Sequence, residues 1–285
     1  MTAIDVVLPV HEKDRDVLPL SLRGTLKHVR PVRRICVVSR RPVHWPDERV
    51  VWIPEPTDGQ LPTLDQLRAL WSSRYPAMLH RASWVYQQLL KLGAGSYIED
   101  LSPSYLVVDA DVLFLRDVSF SLPAGVRFPY SRATESWAPY HDAYRRLLGV
   151  DATSTHSMVT HHMLFDRALI AELQGEIEAR HQSRWHEAYL VVLDYSCLSP
   201  ISVFNTYGWW MLDRHPELSR HRQLLWRDVP VVPTALARAS LARRFDFVAA
   251  HLWMRQPRWR HYLEVVAGIA NDLRVRGRLA RLFPR

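Results

Sequence analysis

Apolar positions fall into short uninterrupted runs in the first third of the chain, and polar, helix-spaced stretches separate them. Ile4 to Val10 is rich in β-branched residues, the pattern of a first strand buried on both faces. Asp16 to His28 carries Leu18, Leu20, Leu22 and Leu26 and reads as a helix. Arg34 to Ser39 is a second buried strand and Val50 to Ile53 a weaker third. The β-α-β order predicts a parallel, doubly wound half-sheet. Pro54 to Pro62 has the Pro, Thr, Asp and Gly content of a loop. Leu64 to Tyr75 reads as a helix. Ser83 to Leu92 is a stronger one, with Trp84, Gln87, Gln88 and Lys91 on spacings that share faces. Tyr105 to Val108 predicts another strand, which runs into Asp109-Ala110-Asp111 and then Val112 to Leu115.

The second half is less regular. Strands are expected over Val126 to Tyr130, His161 to Phe165 and Phe245 to Trp253. Helices are expected over Trp137 to Leu148, Asp166 to Glu178 with Asp166 as cap, and Trp185 to Asp194. Val203 to Leu212 concentrates Phe204, Tyr207, Trp209 and Trp210. The stretch from Tyr262 onward interleaves Leu273, Val275, Leu279, Leu282 and Phe283 with five arginines, a basic amphipathic helix. Three segments follow: 1–118, which ends just after the Asp109-Ala110-Asp111 motif, 119–261, and 262–285 as the terminal helix.

Composition narrows the function classes. With 285 residues, 48% of them apolar and eleven of them tryptophan, the chain can bury a large single α/β core, which argues against disorder. The net charge of +8 is carried almost wholly by arginine, since only Lys13, Lys27 and Lys91 are lysines. Arginine forks match phosphate and carboxylate, so phosphorylated substrates, an anionic membrane or nucleic acid fit the charge. No nucleic-acid-binding motif accompanies it, and nucleic acid is not expected as a partner. Cys36 and Cys197 suggest neither a disulfide scaffold nor a zinc site. The start of the chain lacks a signal-peptide pattern, and no apolar run approaches the ~20 residues of a membrane span. A cytoplasmic protein is expected, with peripheral contact at the inner face of the membrane through residues 262–285.

The chemistry concentrates after the Tyr105–Val108 strand. Side chains alternate along extended chain, so Asp109 and Asp111 point the same way. Ligands of open parallel sheets bind beyond the carboxyl ends of the strands, where this pair stands. Two close carboxylates repel and are costly to bury; a divalent cation relieves both penalties. Mn2+ or Mg2+ prefers oxygen donors and commonly bridges carboxylates to substrate phosphates. The alternative is that the two aspartates merely cap a turn.

Three ordered segments sharpen this. Trp84-Val85-Tyr86-Gln87-Gln88-Leu89-Leu90-Lys91-Leu92 precedes the strand with its acidic motif, and His161-His162-Met163-Leu164-Phe165 follows it. Together with the opening Asp5-Val6-Val7-Leu8-Pro9-Val10, Asp14 and Ser21-Leu22, they resemble a bacterial family of glycosyltransferase-like proteins of unknown function, over residues 4 to 212. The resemblance implies a GT-A-type α/β fold, with a Rossmann-like, mostly parallel central sheet flanked by helices in a single domain. It implies that Asp109 and Asp111 handle metal and diphosphate, and that Pro9, Val10 and His11 lie near the nucleotide base and ribose. Gln87, Gln88 and Lys91 match its Gln-Gln-x-x-Lys-Leu element, with Lys91 on phosphate or paired with an aspartate. His161 and His162 would border sugar or acceptor. The family pattern Ser-Glu-Tyr-Glu-x-Tyr-Gly aligns with Ser202-Val203-Phe204-Asn205-Thr206-Tyr207-Gly208, so both glutamates are replaced here while Tyr207 is kept.

Other residues complete the expected site. His251, after Phe247-Val248-Ala249-Ala250, is a candidate third metal ligand, since a late histidine fills that role in several GT-A enzymes. An inverting transfer needs a carboxylate base. Glu135, Asp142 and Asp194 are available, and Asp194 is the working candidate, although spacing does not select it. Trp137, Tyr207, Trp209 and Trp210 offer sugar-stacking rings, with core packing the plainer role for each. The function expected is metal-dependent transfer of a sugar from a nucleotide-diphosphate donor, UDP-linked by preference. The acceptor expected is a saccharide or lipid-linked saccharide of a cell-surface polysaccharide or glycolipid. The alternatives are a binder of nucleotide sugars without turnover, motivated by the missing glutamates, and a nucleotidyltransferase. The absence of glycine in His11 to Asp16 counts against the latter.

Overall fold

The computed structural model describes residues 3–57, 59–133, 137–230 and 232–251. The expected helix over 262–285 and the candidate base Glu135 lie outside these residues.

Five strands form the central sheet: β1 (Ile4–Pro9), β2 (Val32–Ser39), β3 (Val50–Pro54), β4 (Ser104–Val108) and β6 (His162–Asp166), in the order β3-β2-β1-β4-β6. The first four are mutually parallel and β6 runs antiparallel to β4. A mixed α/β fold with a mostly parallel central sheet between helices is therefore what the chain adopts. A small second sheet joins β7 (Trp226–Asp228), β8 (Phe247–Ala249) and β5 (Val112–Phe114), with β7 and β8 parallel and β5 antiparallel to β8.

Period-two alternation puts the two faces of the central sheet into different cores. Val7, Tyr105, Val107, Met163 and Phe165 pack on one side with the helices α2 (Leu64–Arg74), α3 (Ala82–Leu92), α4 (Ala138–Leu148), α5 (Arg167–His181), α6 (Trp185–Val191) and α7 (Val203–Arg214). Val6, Leu8, Leu106, Val108 and Leu164 pack on the other with α1 (Leu18–His28) and the small sheet.

Local signals explain the helix boundaries. Thr63 and Gln66 close a reciprocal capping box at the start of α2. Asp166 accepts from Ala168 N and Leu169 N to start α5, as the sequence predicts. Pro139 stands in the first turn of α4, where its missing N–H costs nothing, and Gly149 ends that helix at φ 76°.

Most expected elements lie within a few residues of those observed. The aromatic stretch from Val203 becomes a twelve-residue helix capped by Ser202. Trp209 and Trp210 are both buried in the core, which accounts for the pair without a ligand. The strand expected over Val126 to Tyr130 is shorter, Phe128–Tyr130.

One polar group sits inside β1. Asp5 is fully buried, and its carboxylate accepts from Arg33 Nε at 2.8 Å, Arg33 Nη2 at 2.6 Å and the Ser102 N–H at 3.0 Å. A buried carboxylate is tolerable when its lone pairs are filled this way.

Candidate active site

The Asp109-Ala110-Asp111 turn is gripped from both sides by backbone hydrogen bonds. Asp109 N donates to His161 O at 2.9 Å, and Ala250 N donates to Asp111 O at 2.9 Å. The first bond continues the β4–β6 ladder, in which Val108 pairs with His162. The second continues the β5–β8 ladder, in which Val112 pairs with Ala249. Two strands distant in sequence thus deliver a histidine to each side of the acidic turn. Strand β7 adds Asp228, whose register partner on β8 is Ala249, two residues before His251.

The side chains interlock. Lys91, 4% exposed, reaches from α3 to Asp109 Oδ1 in a close ion pair, and its ammonium also lies 4.7 Å from the Phe204 ring centre. His161 Nδ1 is 3.3 Å from Asp109 Oδ2. His251 Nδ1 is 2.8 Å from Asp111 Oδ2. The two imidazoles face one another with their Nε2 atoms 3.4 Å apart. Asp228 Oδ1 lies 3.2 Å from His251 Nε2 and 3.6 Å from His161 Nε2.

Charge follows from this geometry. Burial pushes the Asp109 carboxyl up, but the Lys91 ammonium and then the His161 ring outweigh it and hold it well below the usual carboxylate range. Burial pushes the His251 ring toward neutrality; hydrogen bonds to Asp111 and Asp228 overcome that and raise it to about 10. Without a bound cation His251 is an imidazolium between two carboxylates.

His161 Nε2, Asp228 Oδ1 and His251 Nε2 form a possible metal site, with all three atoms within 4.8 Å of one another. Asp228 Oδ1 is buried, yet among the described residues it makes no well-aligned hydrogen bond. The spacings of 3.2, 3.4 and 3.6 Å are near the ~3 Å expected between adjacent donors on an octahedral ion with bonds of about 2.1 Å. The donor set therefore fits a divalent ion. Asp111, on the far nitrogen of His251, has the place of a carboxylate that orients a metal-binding imidazole. His161 also holds an unusual backbone, φ 61°, in the left-handed region that non-glycine residues rarely enter, a cost of roughly 1–3 kcal/mol.

A cleft of about 770 Å³ opens over this cluster. Pro9 and the acidic turn lie at the carboxyl ends of β1 and β4. Its lining includes the stripe Arg81, Trp84, Gln87, Gln88 and Lys91 of α3 and its cap, and also Trp137, Tyr140, Leu198, Ser199 and Ser202.

Of the residues expected from sequence, Pro9, Gln87, Gln88, Lys91, Asp109, Asp111, His161 and His251 line this cleft. Gln88 also accepts from Val203 N at 3.0 Å, which ties α3 to α7. His11 lies beside the cleft, with its ring accepting from Lys13 N. Val10 is buried, and its N–H donates to Val38 O.

His162, Tyr207 and Asp194 are not among the lining residues. The His162 ring packs against Phe114, Phe120 and Phe247, and burial lowers its pKa to about 4. His161 takes a left-handed conformation just before β6, so its ring turns to the cleft while His162 opens the strand facing the core. Tyr207 is buried and accepts from Asp166 N through its hydroxyl at 3.2 Å. Asp194 caps a turn, accepting from Ser196 N and Oγ. Asn205, where the family pattern has glutamate, accepts from Met158 N at 2.6 Å and so anchors the segment leading to His161.

Two residues escape the sequence reading. Asp228 lies in a three-residue strand, and no spacing links it to His251. Arg81 precedes α3 among other arginines and has no distinguishing pattern.

The profile of a family of unknown function, DUF6492, matches residues 1–224. The chain belongs to this family. No curated protein matches it. Among solved structures it is similar to a galactosyltransferase, LgtC, crystallised with donor and acceptor sugar analogues, at 10% identity and a TM-score of 0.46 over 86% of each chain. No helix among the described residues is long and apolar enough to cross a membrane.

Proposed function

We propose that the chain is a metal-dependent glycosyltransferase of the GT-A type, moving a sugar from a nucleotide-diphosphate donor, UDP-linked by preference, to a saccharide acceptor. The acceptor class is that of cell-surface polysaccharides or glycolipids. The observation that carries this reading is the meeting of Asp109, Asp111, His161, Asp228 and His251 at the carboxyl end of a parallel sheet, beneath one large cleft. Histidine and carboxylate together suit manganese, and magnesium less so. Asp228, His251 and His161 would hold the ion, with Asp111 orienting His251 and Asp109 fixed by Lys91. The ion supplies neutralisation of the diphosphate leaving group. Pro9, Lys13 and Gln87 line the cleft and are the residues that would meet base, ribose or phosphate on this reading.

A second reading has one observation behind it. The carboxylates lining the cleft, among the described residues, are Asp14, Asp109, Asp111 and Asp228. Among the described residues, none comes from the 137–140 segment, beside which an acceptor would bind on this reading. Binding of the donor without transfer is the corresponding alternative.

Release of sugar from UDP-, GDP- and CMP-linked donors, measured with Mn2+ and saccharide acceptors, separates the two. Turnover that Asp111→Asn abolishes supports transfer. Mn2+-dependent nucleotide binding with no turnover of any donor favours the binder. Neither binding nor turnover removes both.

A further inference from the structure

The cleft has a cationic end that the metal cluster does not use. Residues 81, 84, 88 and 91 follow one helical stripe, so Arg81 stands about 15 Å along the axis from Lys91 at 1.5 Å per residue. Its guanidinium lies 4.6 Å from the centre of the Trp84 ring, and Nη2 donates to Ser199 Oγ at 3.3 Å. Nε is buried and lacks a hydrogen-bond partner among the described residues. Burial pushes its pKa down, and among the described residues no carboxylate forms an ion pair with it.

The surroundings are those of a sugar site. Trp137 remains 48% exposed while its indole N–H donates to Ser199 O at 3.1 Å, which fixes the ring in place with one face open. A rigid exposed aromatic is a platform for the apolar face of a pyranose. Tyr140 and Trp84 line the same end. A stacked arginine with an unused buried N–H then calls for an oxyanion, since a planar guanidinium bonds carboxylate or phosphate in two places.

Resting on the glycosyltransferase reading, the geometry points to an anionic acceptor: a saccharide whose carboxylate or phosphate is held by Arg81 while an adjoining ring stacks on Trp137. The site thereby excludes neutral sugars, whose binding would leave the guanidinium buried and unpaired.

Full-length chain with UDP and Mn2+ is titrated with methyl β-glucuronide, methyl β-glucoside and methyl β-glucoside 6-phosphate at millimolar concentrations, followed by saturation-transfer NMR and tryptophan fluorescence. One charged sugar is expected to bind about tenfold more tightly than the glucoside, with the advantage falling as salt rises. A preference for the glucuronide identifies an acidic sugar and one for the phosphate a phosphosugar. Arg81→Ala is expected to erase the difference and Arg81→Lys to keep part of it; thermal melts report folding of both. Should Arg81→Ala fail to fold, the wild-type comparison and Arg81→Lys still decide. Equal affinities for charged and neutral sugars, or no binding of any of the three, overturn the assignment of Arg81. Absence of UDP binding by the wild type overturns the donor site instead.

Discussion

His161 and His251 stand with their Nε2 atoms 3.4 Å apart, although 90 residues separate them along the chain. Two like-facing ring nitrogens need something between or beside them, and Asp228 Oδ1 supplies the third donor of a small triangle. One strand from each sheet is required to make this contact. Each histidine has a carboxylate on its other nitrogen, Asp109 on His161 and Asp111 on His251, so both rings are oriented before any ligand arrives.

Cation binding is the first consequence. Mn2+ should raise the thermal midpoint of the wild-type chain, with stabilisation of ~2.7 kcal/mol at a hundredfold excess over Kd. Asp111→Asn should weaken the ion by about 10- to 100-fold through loss of the partner that orients His251. Asp228→Ala should weaken it further, as it removes a donor. Scanning fluorimetry with and without a chelator reads all three, and a wild-type midpoint indifferent to Mn2+ would falsify the metal site.

A helix glycine behaves against the usual rule. Glycine to alanine within a helix ordinarily stabilises by up to about 1 kcal/mol. A Cβ at Gly24 of α1 would come within 2.8 Å of Phe114 O and 3.1 Å of Phe114 N, both backbone atoms of β5. Helix and strand must part, so Gly24→Ala should destabilise by roughly 1–3 kcal/mol. Because β5 leads directly from the acidic turn, Mn2+ affinity should fall with it. Urea unfolding tests the sign: a stabilised variant contradicts the close packing.

Acid should act through Asp5. Burial raises its carboxyl pKa, but Arg33, the Ser102 N–H and Arg34 together lower it below its ordinary value. A carboxyl depressed on folding contributes stability that is complete above its unfolded pKa of about 4 and is lost as pH falls through the lower folded value. Asp5→Asn should therefore be less stable than wild type by about 2 kcal/mol at pH 7, a figure kept below the buried-pair range because both arginines are partly exposed. Below pH 4 the gap should narrow. Urea midpoints from pH 7 to pH 3 follow it, and a gap constant over that range would show that the pair is not the cause.

The pattern of residues along the chain was informative wherever a local period or cap settles the matter. The strands of the central sheet, the helix capped by Asp166 and the acidic pair at the end of β4 all follow from neighbours within a few positions. Val203 to Arg214 is an exception among the helices, because three aromatics and two β-branched residues in its first two turns mask a helical period that burial along most of its length makes unnecessary. His161 and His162 show how far adjacency misleads. They are one residue apart, yet one ring enters the cleft and the other the core, because His161 turns through a left-handed backbone at φ 61° before β6 begins at His162.

By itself, then, the order of residues determined the mostly parallel α/β sheet and the presence of two carboxylates at the carboxyl end of its strands, since strand period and strand-end placement are local properties. Only tertiary structure decided that Lys91 would neutralise Asp109, that Asp228 would join two histidines, and that Arg81 would lie at the far end of the same cleft. Those contacts depend on which strands pair and which faces of the helices turn inward, and pairing between segments as many as 140 residues apart leaves no periodic trace in the chain.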